Sequence, residues 1–438
     1  MFDLPKYGDG ICLARMAELL GSLGIDRMKL QERSVAITGS NGKGSTAAFC
    51  ASIGHAFGMR TALFTSPHLF RVNERFQIDG APIGDHELSE KAGRIATAIE
   101  AVSKKRGERF GAFEAMFALA CLYFGESDCQ LMVFEAGIGG RYDPVRLLGS
   151  QFTTVTSVDY EHVELLGNSL ELIVSDKSDA CASGGTIIYG ENCRALRPHI
   201  VEYNRNRQVE SLFVRDEIGI GGVSVAPGKQ CFDFVFRGFD FRAMEIALAG
   251  GFQLNNAAIA AGLFLQWLER TQPDGPTSRI ETAIRKGLRE ARWPGRLEAI
   301  AQEPLTVIDV GHTPDGIRQS LASLQQIYGG HNWILVTGVS IDKKAEEISA
   351  VLAPAFETII CTAAHHKGGN PATLAASMQR INPRAHVEIA ETIEQAFRAS
   401  NALAKSRSGR IYVAGGLFTA IEFAALARGL DAAKLSFF

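Results

Sequence analysis

The run Thr38 to Thr46, TGSNGKGST, stands between an apolar stretch ending at Ile37 and an Ala-rich stretch, so a buried strand must turn through glycines directly into a helix. Gly39, Gly42 and Gly44 free backbone N–H groups, the helix start brings the positive end of its dipole, and Lys43 brings an ammonium. All of these face one small volume, which suits the phosphates of a nucleoside triphosphate. The spacing is shorter than the usual P-loop pattern, and Gly44 intervenes between Lys43 and Ser45.

A strand feeding such a loop belongs to a mostly parallel sheet, and the chain keeps that rhythm. Apolar runs at 35–37, 61–64, 131–134, 152–158 and 186–189 alternate with helical patterns, after an amphipathic helix expected over 10–24. Glycine-punctuated β-rich pieces over 208–250 read as an antiparallel addition at the sheet edge, and 252–267 reads as a helix. The Pro-Gly turn in RWPGRL sets a boundary near residue 295, dividing the chain into 1–295 and 296–438. Beyond it, strand-like runs at 305–308, 333–337, 358–361, 387–389 and 411–414 alternate with helices at 316–328, 345–352, 372–381, 393–404 and 420–427. The expected fold is α/β throughout: a P-loop domain with a mostly parallel sheet, then a smaller α/β domain.

At 438 residues, 46% hydrophobic and 21% charged, the chain has material for two cored domains. A formal net charge of -3 gives no electrostatic reason to expect nucleic acid or a membrane surface as partner. The 8 cysteines form no CxxC pair, which argues against structural zinc and for reduced thiols. The first residues lack a leader pattern and no apolar stretch is long enough to span a bilayer, so a cytoplasmic enzyme is expected.

Ligands of open α/β sheets lie beyond the carboxyl ends of the strands, so the polar residues there are candidates for chemistry. Ser66 and His68 follow the run at 61–64, Glu135 follows 131–134, and Asp159, Glu161 and His162 follow 152–158. A hydroxyl, a carboxylate and an imidazole converging beside a triphosphate would coordinate Mg²⁺, for which the oxygens are the natural donors. Each taken singly has a plainer reading: a helix-start charge for the glutamate, a hydrogen-bonded surface residue for the histidine, a turn for Ser-Pro. Arg296 reads by itself as a solvated charge, and Asp309 and His312 as a cap and a surface imidazole.

Taken in order, these segments resemble the folylpolyglutamate synthase/dihydrofolate synthase family of the Mur ligase superfamily. The resemblance rests on GSNGKGST, FTSPHLFRVNERFQIDG, FEAGIGGRYD, TSVDYEHVELLG, GFQLNNAAIAA, PGRLE, DVGHTP and GVSIDKK. It implies an ATPase domain followed by a Rossmann-like glutamate-ligase domain, with catalysis between them. It further implies that Gly39, Ser40, Asn41, Gly42, Lys43, Gly44 and Ser45 hold ATP phosphates and that Asn256 meets the adenine. Arg296, Asp309 and His312 would reach the nucleotide and its γ-phosphate. Ser66, Glu135 and His162 would bind one Mg²⁺, and Lys177, in the place of a lysine that the family carbamylates, would help hold a second. Lys43, Lys177, Arg296 and His312 are the expected catalytic set.

The implied reaction joins L-glutamate to a carboxylate acceptor through an acyl phosphate, in a chain expected to be monomeric. Glu161, the DKSDA stretch around Lys177, the PVR turn at 144–146, Thr313 and Lys344 depart from the family pattern. Three readings stay open: a folate or dihydropteroate enzyme, the same ligase chemistry on another carboxylate, and a P-loop nucleotide-binding protein without ligase activity.

Overall fold

Eight short strands make the first sheet of the computed structural model, which describes residues 4–5, 8–10, 12–226, 228–271 and 276–437. Met1 to Asp3 and Lys6, part of the stretch read for a leader, and Ile11, within the helix expected over 10–24, lie outside the described residues. That helix forms at Leu13–Ser22. The strands are β1 (Ser34–Thr38), β2 (Thr61–Phe64), β3 (Phe76–Ile78), β4 (Ala81–Pro82), β5 (Leu131–Glu135), β6 (Phe152–Val155), β7 (Thr186–Tyr189) and β8 (Glu210–Phe213). They lie in the order β4, β3, β2, β5, β1, β6, β7, β8, parallel except at the β2, β3, β4 edge. Both faces of β1 and β5 are buried because helices cover the sheet on each side, which is why these strands read as unbroken apolar runs rather than alternating ones.

One covering helix, Ala112–Glu126, is apolar almost all round and buries the length of its side facing β5. Phe64, Phe117, Phe124 and Phe134 meet there with ring centroids 5.6 to 6.3 Å apart, edge-on or tilted as aromatic quadrupoles prefer. This cluster lies directly beneath Glu135, the last residue of β5. The site's carboxylate therefore stands on a rigid base.

The segment 208–250 differs from its expected place at the sheet edge. Only β8 joins the first sheet, as a parallel strand, while β9 (Ile218–Ala226), β10 (Lys229–Phe236) and β11 (Phe239–Ile246) form a separate antiparallel sheet. Their inward faces, carrying Phe232, Phe234, Phe236, Phe241 and Met244, need an apolar partner, and they join the core that includes helix Phe252–Thr271. Burial of that face, not strand pairing, decides where the three strands go.

The second α/β domain has a six-stranded sheet of β12 (Glu298–Gln302), β13 (Leu305–Ile308), β14 (Trp333–Thr337), β15 (Thr358–Thr362), β16 (His386–Ala390) and β17 (Arg410–Ala414). Its order is β12, β13, β17, β14, β15, β16, and every pair is parallel except β12 with β13. The expected strands and helices of this half are all present; β12 was not anticipated, since its apolar run is only Ala299 to Ala301, between Glu298 and Gln302, and it pairs only at an edge. No helix among the described residues is long and apolar enough to cross a membrane.

Candidate active site

The glycine loop follows β1 and enters helix Lys43–Ala56, whose first turn carries no acidic residue. Gly42 caps that helix at φ 88°, a left-handed conformation that costs a side-chain-bearing residue free energy. A Cβ there would also stand 2.5 Å from Asn256 Oδ1. The loop is held in place from the neighbouring strand: Ser157 Oγ accepts from Asn41 N–H at 2.8 Å, and Thr156 Oγ1 donates to Asn41 O at 2.6 Å. Ser40 N–H donates to Ser157 O at 2.9 Å, and Ser40 Oγ accepts from Asp159 N–H at 3.0 Å. β6 stops at Val155 although the expected strand ran on to Val158: Thr156 N–H still donates to Thr38 O at 2.9 Å, but the side chains of Thr156 and Ser157 turn to clamp the loop.

Lys43 curls over its own loop, donating from Nζ to Gly39 O at 2.7 Å and Ser40 O at 3.2 Å. Ser45 is buried and accepts from Gln253 Nε2, while Asn256 donates to Gln253 Oε1. Asn256 thus lies against the loop glycines. Trp293 closes the other side; a Cβ at Gly44 would stand 2.4 Å from its indole. Gln253 and Trp293 went unremarked in the sequence. Trp293 was visible beside the Pro-Gly turn, but nothing in its spacing tied it to Gly44.

Glu135 and Ser66 are brought together: Ser66 N–H donates to Glu135 Oε2 at 3.0 Å. Burial pushes the Glu135 carboxyl up to about 7, against the pull of Lys43, the Ser66 N–H, Arg296 and Arg75. A buried carboxylate beside a hydroxyl, held at the cost of ionisation, is a fitting seat for a hard dication. His162 stands at φ 44° at the start of the short helix Val163–Leu166. Burial lowers its pKa and Glu161 raises it, with Lys343, Lys43 and Lys177 adding to the lowering. Among the described residues no three His, Cys, Asp or Glu side chains group as a ready-made metal site.

Lys177 is almost fully buried, with Nζ 2.5 Å from Glu161 Oε1. Burial works against both charges, yet Lys177 and Lys43 overcome it for Glu161 and bring that carboxyl down to about 2. The sequence showed Glu161 as a departure from a pattern; its reach to Lys177 appears only in three dimensions. His68 takes no part in this group. Its Nδ1 accepts from Arg75 Nε at 2.8 Å, which leaves the proton on Nε2 to donate to Ser436 O at 2.6 Å.

The second domain faces the loop across a narrow gap. Thr313 Oγ1, the cap of helix Pro314–Tyr328, donates to Asn41 Oδ1 at 3.4 Å. His312 next to it has its pKa lowered to about 4, first by burial and then by Lys343, with smaller contributions from Arg296 and Lys43. Asp309, fully buried at the end of β13, accepts from Leu297 N–H at 3.1 Å and Gly311 N–H at 2.9 Å, so it shapes the turn that carries Arg296. Burial raises its pKa and Arg296 opposes that. Lys43, Arg296 and His312 therefore share one field, with Glu135 as the anion among them. Such a gap can gather a polyphosphate and a carboxylate against cations contributed by both domains.

The chain resembles known proteins both in sequence and in fold. Residues 295–417 match the family model described as the Mur ligase, glutamate ligase domain. Most of the second α/β domain thus carries the pattern of a Mur ligase domain. The chain is 29% identical over 341 residues to the dihydrofolate synthase/folylpolyglutamate synthase of Bacillus subtilis (strain 168), covering 77% of each chain. It superimposes on Mycobacterium tuberculosis folylpolyglutamate synthase complexed with ADP and AMPPCP with a TM-score of 0.86, at 23% identity and 96% coverage of both chains. The apo form of the L. casei enzyme gives 0.82 at 25% identity, covering 98% of this chain and 97% of that one. The relatives it resembles in sequence and the structures it resembles in fold are alike folylpolyglutamate and dihydrofolate synthases.

Proposed function

We propose that this chain is an ATP-dependent ligase that joins L-glutamate to the carboxylate of a folate or dihydropteroate. A carboxylate oxygen of the acceptor attacks the γ-phosphorus and ADP leaves. The amine nitrogen of glutamate then attacks the acyl carbon, loses a proton and expels phosphate. The observation that carries this reading is the Thr313 to Asn41 bridge, which sets the second domain's His312 and Arg296 opposite the phosphate loop.

In this reading Gly39 to Ser45 and Lys43 hold the β- and γ-phosphates, Asn256 borders the adenine, and Arg296, Asp309 and His312 serve the nucleotide from the second domain, with the boundary near residue 295. Arg296 makes no hydrogen bond or ion pair among the described residues, so its guanidinium is available to a phosphate. Ser66 and Glu135, with His162, would hold one Mg²⁺, which would neutralise charge building on the transferred phosphoryl group. Lys177 would serve a second ion as a carbamate only by giving up its pair with Glu161. ATP, Mg²⁺, the acceptor and glutamate are small molecules, and we take the working form to be a cytoplasmic monomer.

The family names and the nucleotide complex of the M. tuberculosis enzyme support ATP and a folate-type acceptor. The test is a mass-resolved ligation assay with purified protein, Mg-ATP and glutamate against dihydropteroate, tetrahydrofolate and other carboxylic acids. A product heavier by one glutamate residue on a pterin acid is expected. ATP hydrolysis with no ligated product from any acid would sink the assignment.

A further inference from the structure

The segment Ser436–Phe437 reaches from the second domain to the wall of the cleft that carries Ser66. The Phe437 ring is 2% exposed. It sits 4.8 Å from Phe418 and 5.1 Å from His366, and stacks at 12° on His68 of the first domain. Its carbonyl accepts from Arg75 Nη2 at 3.3 Å, and the Ser436 carbonyl accepts from His68 Nε2. Arg75 is itself buried, and among the described residues no carboxylate lies within ion-pair distance of it. Its guanidinium donates from Nε to His68 and from Nη2 to this carbonyl.

The contacts continue inward without a break. The Arg75 carbonyl accepts from Thr65 N–H at 3.2 Å, and the next amide, Ser66 N–H, donates to Glu135. Glu74 fixes the intervening turn by accepting from the N–H groups of Leu69, Phe70 and Arg71. Leu69 and Phe70 pack on the second domain's core, and the Arg428 guanidinium lies 4.4 Å over the Phe70 ring. A ring buried among three others is a fixed anchor rather than a flap.

We propose that Ser436–Phe437 is a clasp: it positions the Thr65–Arg75 loop, and through it the Ser66 and Glu135 pair, relative to the second domain. Its effect on turnover rests on the ligase reading above; its effect on the loop does not. Phe437, His68 and Arg75 are positioning residues, acting on the reaction only through that pair.

Hydrogen exchange and kinetics on full-length Phe437→Ala and Phe437→Leu test it. In Phe437→Ala, amides of Thr65 to Arg75 should exchange about tenfold faster, with Phe437→Leu in between. ADP affinity should stay within about twofold of wild type, while kcat falls and KM for the acceptor rises more than KM for ATP. Unchanged exchange over that loop in folded Phe437→Ala overturns the clasp. If that variant does not fold, His68→Ala serves, with tryptic cleavage after the exposed Lys434 expected to speed up about tenfold; unaltered cleavage overturns it equally. Faster loop exchange in a protein that ligates no acceptor leaves the clasp standing and removes the ligase reading.

Discussion

Lys43, which we propose holds the phosphates of ATP, makes hydrogen bonds among the described residues only to carbonyls of its own loop. Lys43→Ala should therefore lower turnover by on the order of a thousandfold while leaving the melting temperature nearly unchanged. A parallel loss of helical circular dichroism would show that the lysine is structural instead. Glu135 supplies a pH signature. A carboxyl whose pKa rises on folding, here to about 7 through burial, binds its proton more tightly native than unfolded. Its contribution to stability is thus fully present below the ordinary glutamate pKa and fades as pH rises through about 7. Without Mg-nucleotide, Glu135→Gln should unfold like wild type near about pH 4 and be more stable, by at most about 3 kcal/mol, near about pH 8. A difference that stays flat with pH in chemical denaturation would remove the burial penalty from the account. At this level the sequence was informative about which polar residues follow each strand, and silent about pairs. Glu161 with Lys177, and Arg75 with His68, join residues far apart or oddly spaced, and no periodicity marks them.

The helix Lys43–Ala56 and the turn at Trp293 form one seam. Gly44→Ala would drive a methyl into the indole, and overpacking of that kind costs roughly 1–3 kcal/mol. We expect lower stability and a shifted tryptophan emission, measured in a Trp267→Phe, Trp333→Phe background so that Trp293 alone reports. Emission identical to wild type would mean that the indole does not abut the helix in solution. Strands and helices themselves were largely readable, because apolar runs bounded by glycine, proline or charge decide them. What could not be read was partnership: β9, β10 and β11 show the alternation of half-buried strands, but only the apolar face of helix Phe252–Thr271 says where they dock. The end of β6 was misjudged for a related reason, since Thr156 and Ser157 have strand character and are drawn off by Asn41.

The two sheets meet at a gap whose cations come from both sides, so binding there should link the domains. Arg296→Ala should cut kcat/KM for ATP by roughly a hundredfold with little effect on stability, since among the described residues the side chain has no hydrogen-bonded partner to lose. A non-hydrolysable ATP analogue at about 100 times its Kd should stabilise wild type by about 2.7 kcal/mol in one cooperative transition. Two separate transitions, with only one moved by the analogue, would mean that the second domain takes no share in holding it. The close approach of residue 44 to residue 293 carries a further consequence, for descent rather than energy. Position 44 is the constrained one: a lineage in which it gains a methyl is expected to carry something smaller than an indole at 293, or an indole that has moved aside.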